Sequence, residues 1–166
     1  MLAEKLVEMI EIHAERLGAA VVKDLITNER TPSFRLVKRS DLDERLFTII
    51  HHLGDWIGNR RSERVKLEFA EWGSTRFGQG VPLSEVVYAV IVLKQHMRQF
   101  ISDNGLIEAA FPATESDYVL PMHLHSLQEL NGEIGLFFDE ALYHLARGYE
   151  DRVRQSATVR LAGYPR

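Results

Sequence analysis

Apolar residues recur along most of the chain at intervals of three and four, the repeat of a helix with one buried face. Leu6, Met9, Ile10, His13, Leu17, Ala20 and Val21 share one such stripe, which predicts a first helix over about residues 2–26. Glu4, Glu8, Glu11 and Glu15 form an acidic stripe away from it, read as a solvated face. The connection TNERTPSFRLVKRS follows, and Ser40 is expected as an N-cap with Asp41, Asp43 and Glu44 in the next first turn. The second helix carries Leu42, Leu46, Ile49, Ile50, Leu53 and Ile57, with an end or kink at Gly58-Asn59. A third, over about residues 60–77, places Val65, Phe69 and Trp72 on one face and is broken by the Gly and Pro of residues 79–82.

The fourth helix starts near Pro82 and stops at Asn104-Gly105, a C-terminal signal. The connection GLIEAAFPATESD, with Pro112, leads to a fifth helix that starts near Ser116 or Pro121 and passes Tyr149. Leu124, Leu127, Leu130, Ile134, Phe137, Phe138, Ala141, Leu142, Leu145 and Tyr149 line its apolar face. The closing QSATVRLAGYPR loses the pattern. The expected fold is therefore an all-α bundle of about five helices with a long C-terminal helix. Residues 1–150 make one helical domain and residues 151–166 a tail or linker.

Two of these helices carry more apolar surface than one face needs. On the fourth, Leu83, Val86, Val87, Val90, Ile91, Leu93, Met97 and Ile101 form the main face, while Tyr88 and Val92 stand opposite. On the fifth, Leu136 and Tyr143 interrupt a charged face. A homodimer seam through Tyr88, Val92, Leu136 and Tyr143 accounts for both, and so does sandwiching between neighbours in the monomer.

Composition narrows the chemistry. The chain has 166 residues, 45% of them hydrophobic and 27% charged, enough apolar material for one soluble core. Its formal charge of −4 argues against general nucleic-acid binding, which needs a basic face. Cysteine is absent, which excludes disulfides, thiol nucleophiles and Cys-ligated metals. The acids of the N-terminal segment interrupt every apolar run, so no signal-peptide core exists, and the longest apolar run, residues 86–93, is too short to span a bilayer. A cytoplasmic location is expected, with no membrane partner.

The seven histidines are His13, His51, His52, His96, His123, His125 and His144. None is preceded three residues earlier by an acid, so the Glu-x-x-His pairs of di-iron bundles are missing, and so is the His-Glu-x-x-His zinc motif. A single axial histidine, His96 or His13, keeps open a haem- or small-ligand-binding reading. No nucleophile elbow, phosphate-binding loop or dinucleotide fingerprint occurs, and WGSTRFGQG reads as a helix-breaking turn. With no acid, base or nucleophile to assign, the chain is expected not to be an enzyme and to carry no cofactor.

Polar residues on apolar faces are the remaining candidates for a ligand or sensing surface. Lys94 projects from the main face of the fourth helix, with Asn131 as a possible partner or with its stem covered and its ammonium reaching water. Arg98 lies one turn on, near the edge of that face, and His96 is a further candidate on the same helix. Arg76 follows Trp72 by four residues, the spacing of a guanidinium stacked on an indole.

The stretch TRFGQGVPLSEVVYAVIVLKQHMRQFISDNG contains Arg76, Gly80, Pro82, Leu83 and Glu85 ahead of a long apolar helix. It resembles the R-x-x-x-G-x-P-L-x-E-V pattern of the N-terminal domain of RsbRD-type RsbT co-antagonists, stressosome regulators whose domain also precedes bacterial sensor histidine kinases. FFDEALYHLARGYE is similar to the closing segment of that family, and the likeness covers about residues 42–150. The resemblance implies a helical sensory or dimerisation module ahead of an anti-sigma-antagonist or kinase output domain. It brings no catalytic residues. No output domain, phosphoacceptor region or ATP-binding glycine box is present, so the expected context is a stand-alone regulator or the front of a longer protein.

Overall fold

A computed structural model describes residues 2–58, 62–110 and 119–162. Among them the chain forms seven α-helices: α1 (Leu2–Ile12), α2 (Ala14–Thr27), α3 (Arg39–His51), α4 (Leu53–Gly58), α5 (Glu63–Gly78), α6 (Leu83–Ala110) and α7 (Val119–Ala162). A short 3-10 turn, Pro32–Leu36, joins α2 to α3, and no strand occurs among the described residues. The all-α expectation holds, with the long helix at the C-terminal end.

Seven helices replace five because two expected helices are kinked rather than continuous. The first bends at His13, where φ −95 and ψ 15 depart from helix geometry. Its amide still donates to the Met9 carbonyl and its own carbonyl accepts from Leu17. The second bends at His52, with φ −106 and ψ 16. The Gly54 amide beyond that bend donates to Glu11 Oε1 at 2.9 Å. Glu11, read from sequence as part of a solvated stripe, thus ties α1 to the second kink. The expected cap at Ser40 shifts: Lys38 is the N-cap residue of α3, its carbonyl accepting from Asp41 and Leu42.

The ends of α6 and α7 also differ from the sequence reading. Asn104-Gly105 does not stop α6, which continues to Ala110. Residues 111–118, including Pro112 and Ser116, lie outside the described residues, as does Asn59. The expected tail after Glu150 is helical to Ala162, which makes α7 44 residues long, about 66 Å at 1.5 Å per residue. No helix among the described residues is long and apolar enough to cross a membrane.

α7 is the element against which the rest is assembled, packing on α1, α4, α5 and α6, with α5 the most intimate neighbour. A second contact set joins α2 to α3 and α6. Between these layers lies one core. Phe69 and Phe137 meet edge to face at 5.8 Å, Trp56 approaches both, and Phe138 closes on Phe137 at 5.1 Å. Such offset and edge-on aromatic pairs contribute about 0.5–1.5 kcal/mol beyond their burial.

The α5–α7 crossing is a backbone-to-backbone contact. A Cβ at Gly73 would lie 2.0 Å from the Leu145 carbonyl oxygen, and one at Gly148 would lie 2.0 Å from the Ala70 carbonyl oxygen. Each glycine therefore receives the backbone of the other helix. Neither obstructing atom is a side chain, so neither can swing aside. Gly73 is inside α5 rather than in a helix-breaking turn as WGSTRFGQG suggested, and only Gly80 of that stretch adopts the left-handed conformation, at φ 74.

Gly73→Ala or Gly148→Ala is expected to destabilise by about 2–4 kcal/mol, the overpacking cost exceeding the roughly 1 kcal/mol that alanine gains in helix propensity. Gly132→Ala, where a Cβ meets nothing within 4 Å, is expected to stabilise by about 0.5–1 kcal/mol. Urea denaturation of the three variants measures this. Stabilisation by all three would contradict the close crossing.

Candidate functional site

The junction of α5 and α6 holds the Arg76, Gly80, Pro82 and Glu85 of the motif, and of the candidate sensing residues it holds Trp72 and Arg76 alone. α5 starts on Ser62, whose Oγ accepts from the Val65 amide at 3.2 Å. It ends in a Schellman turn. The Gly80 amide donates to the Phe77 carbonyl and the Val81 amide to the Arg76 carbonyl at 3.0 Å. Pro82 follows, and its carbonyl accepts from Glu85 and Val86 at the start of α6.

Glu85 is buried and faces back across the junction. Its carboxylate accepts from the Ser33 amide at 2.8 Å and the Ser33 hydroxyl at 2.9 Å. Hydrogen bonds to a charged acceptor each contribute about 1.5–3 kcal/mol. They pin the 3-10 turn beneath α6 and place the adjacent Phe34 in the core. On the other side Tyr149 of α7 donates its hydroxyl to the Val81 carbonyl at 2.9 Å, while its ring meets Phe77 edge-on at 5.3 Å. Arg76, Gly80, Pro82 and Glu85 are therefore one structural unit, a turn clamped between the 3-10 segment and α7.

Arg76 is only 2% exposed. The expected stack on Trp72 is not formed. The guanidinium lies over the Phe34 ring, 5.8 Å from its centroid, and donates through Nη1 to Gln79 Oε1. Its Nε has no partner, nor does the buried indole Nε1 of Trp72. No carboxylate pairs with Arg76 among the described residues. Burial, reinforced by the nearby Arg45 cation, pushes its pKa down to about 10, so it stays charged at neutral pH. Trp72 instead packs on Phe69 at 5.9 Å.

Trp72 and Arg76 are among the residues lining a groove of about 430 Å³ between α3 and α5, within the roughly 300–1,000 Å³ range of small-molecule pockets. Thr48 and Thr75 add hydroxyls, and Asp41, Glu44 and Glu71 stand at the rim. Arg45 crosses it to pair with Glu68 at 2.9 Å, both side chains partly buried.

The other candidates do not join this groove. Lys94 pairs with Asp139 of α7 at 2.9 Å and reaches the Gly135 carbonyl at 3.5 Å. Asn131 is not its partner and donates to Leu127 within α7. His96 turns to α2, its Nε2 3.0 Å from Asp24 Oδ2. His96, considered from sequence for an axial role, thus has one ring nitrogen engaged by a carboxylate. Arg98 is exposed beside Gln95 and Asn131. His13 lies against Phe100 with 6.0 Å between ring centroids. Among the described residues no group of three or more His, Asp or Glu is placed to hold a metal ion.

The seam drawn from sequence divides. Val92 is 1% exposed within the chain and cannot lie on an outer face, so sandwiching between neighbours explains the all-round apolar character of α6 there. Tyr88 is half-buried beneath Arg30, whose guanidinium carbon is 5.2 Å from the ring centroid. Leu136 and Tyr143 remain outside, 49% and 59% exposed.

Sequence reasoning missed Gln79, Phe34, Ser33 and Tyr149 as partners of the junction, and Arg45 and Glu68 as residues of the α3–α5 groove. The regular spacing of Arg76, Gly80, Pro82 and Glu85 was the available signal. It marks the turn but not the distant residues that the turn receives. Comparison of the chain with protein-family models, with curated proteins and with solved structures finds no match.

Asp24 offers a pH test of the polar contacts it makes with Asn28 and His96. Its carboxyl is held below its ordinary value of 3.8, first by the Asn28 amide and then by His96, against the opposing effect of partial burial. A depressed carboxyl contributes stability above its unfolded value and loses it as pH falls through the lower folded value. Between pH 5 and pH 2, roughly the range over which such carboxyls titrate, the urea midpoint of the parent protein is expected to fall more steeply than that of Asp24→Asn. Parallel declines would contradict the lowering of the Asp24 carboxyl by these two partners.

Proposed function

We propose that the protein is a non-catalytic bacterial signalling input domain of the RsbRD-type co-antagonist class. In this reading it acts in the cytoplasm as a homodimer and relays a ligand or partner signal to a kinase or anti-sigma-antagonist output. The observation that carries the reading is the double role of α7. Its first part is a wall of the bundle, with Ile134, Phe137, Phe138, Ala141 and Leu145 fully buried. Beyond Tyr149 the same helix continues to Ala162, and its side chains from Glu150 to Gln155 are all exposed.

Local support for that extension is small. Arg154 reaches Glu150 and Asp151 at 3.7 Å, surface pairs that contribute a few tenths of a kcal/mol. A free helix of this length is marginal in water, so the extension depends on continuity with the packed part. A shift or rotation of α7, carrying α5 with it, against the rest of the bundle is therefore transmitted along it. Leu136 and Tyr143, seven residues apart on one face, are the seam retained for a second copy. The groove over Trp72 and Arg76 is the sensing surface, and Tyr149 joins its turn to α7. A ligand biases the arrangement only by binding two positions of α7 with different affinity.

The test fuses the chain through Ala162 to a histidine-kinase core. Two residues inserted after Gln155 rotate everything downstream by about 200°, whereas seven return it to within about 20° of register. Kinase output is expected to change with the first insertion and to be restored by the second. Equal output from both would contradict transmission through α7.

A further inference from the structure

The turn between α2 and α3 holds an apolar side chain out in solvent. Leu36 is 91% exposed, although Phe34 and Val37 on either side of it are buried. The segment is pinned at several points. Ser33 donates its amide and hydroxyl to the buried Glu85. Thr31 Oγ1 donates to the Leu25 carbonyl at 2.6 Å, and Arg35 Nε donates to the Ile26 carbonyl at 3.0 Å. A turn fixed in this way presents its tip in one conformation, so little ordering cost remains on binding. Arg35 and Lys38 flank the tip, both exposed and neither in an ion pair among the described residues. Arg39, next along, is paired with Asp43 at 3.7 Å.

The groove between α3 and α5 carries the opposite charge. Glu44 and Glu71 are exposed carboxylates of its lining with no ion pair among the described residues. Glu68, by contrast, is already taken by Arg45. Phe47, 42% exposed, lies one turn along α3 from Glu44.

We propose that this face binds a second copy of the chain about a two-fold axis, the turn carrying Arg35, Leu36 and Lys38 of each copy lying across the α3–α5 groove of the other. Three features select this occupant. The turn is basic and the free acids of the groove are exposed, so the two are complementary between copies. The turn leads directly into α3, and α3 is one wall of the groove, so a single face carries both halves of the contact, as an isologous interface requires. The bonds from Ser33 to α6 and from Arg35 to α2 keep the turn from folding onto its own groove, and Leu36 stays uncovered until a second copy offers apolar surface such as Phe47. The contact uses exposed side chains alone, and Arg76 and Trp72 stay covered.

The inference names the occupant of the groove that the proposed function takes as its sensing surface, and rests on that reading. It is separate from the seam at Leu136 and Tyr143. The test is therefore run with Leu136→Lys and Tyr143→Lys in place, so that association reports the new contact. A phase-sensitive kinase fusion without this association overturns the occupant alone. Association with a phase-insensitive fusion overturns the relay alone.

The experiment is sedimentation of this background protein at about 0.02 M and about 0.5 M salt. Self-association is expected at the lower concentration and is expected to weaken by roughly tenfold or more at the higher, because exposed charges are screened. Adding Arg35→Glu with Lys38→Glu, or Glu44→Lys with Glu71→Lys, is expected to leave a monomer in each case, since turn and groove then carry like charge. All four positions are exposed, and the melting temperature is expected to stay that of the background protein. An equal mixture of the two variants is expected to associate again. The acidic turn of one then meets the basic groove of the other, and the unaltered turn and groove form the second contact. Recovery in the mixture cannot come from misfolded chains. A monomer at both salt concentrations, association that survives either reversal, or a mixture that stays monomeric would each overturn the assignment. So would a monomer whose turn instead binds vesicles containing phosphatidylserine, an anionic surface in place of the second copy.

Discussion

The structure depends on one close approach, the crossing of α5 and α7 at Gly73 and Gly148. Each helix places a bare Cα against the other's carbonyl, at Leu145 and Ala70. Backbones this near leave no room for side chains between them, so the larger residues of both helices are displaced to the flanks. There Phe69, Trp72, Phe137 and Phe138 fill the core, and Phe77 meets Tyr149. Because neither carbonyl can rotate away, the crossing fixes the axial register of α5 on α7. That register brings the Tyr149 hydroxyl to the Val81 carbonyl.

The register in turn sets the chemistry of the α5–α6 turn. Once Val81 is held by Tyr149 and Glu85 by Ser33, the last turn of α5 has one position, and Arg76 is carried inward over Phe34. A buried guanidinium normally finds a carboxylate. Here the nearest acids are committed elsewhere or stand at the rim, so the cation persists beside an unpartnered indole N–H. The energetic cost of those unmet donors is borne by the rest of the bundle. The same turn touches α7 through one hydrogen bond, which gives the groove a short physical route to the helix that leaves the bundle.

Much of the fold was legible because helix periodicity survives in nearly every segment. The stripe from Leu127 to Leu145 is buried as read, and so is the face through Val86, Val90, Leu93 and Met97. Kinks at His13 and His52 were not legible, since neither residue breaks a helix and the compensating bond from Gly54 to Glu11 joins residues 43 positions apart. The C-terminal end of α7 was misread because an exposed helix has no apolar stripe to reveal it. At the site, Arg76 and Trp72 were found by their spacing, but their relation was not. The stack that i and i+4 permits was replaced by Phe34, which arrives from a turn 42 residues away in sequence. Val92 was assigned to an outer face because periodicity identifies apolar sides without saying what covers them.

The central claim is that the α5–α6 turn and the outer part of α7 behave as one unit, joined by Tyr149 and Val81. Amide hydrogen exchange of the parent protein and Tyr149→Phe tests it most directly. Removing the hydroxyl is expected to reduce protection together at residues 79–82 and along α7 beyond residue 149, with α2 and α3 unchanged. Loss of protection confined to the turn, with α7 as protected as in the parent, would contradict the coupling on which the account rests.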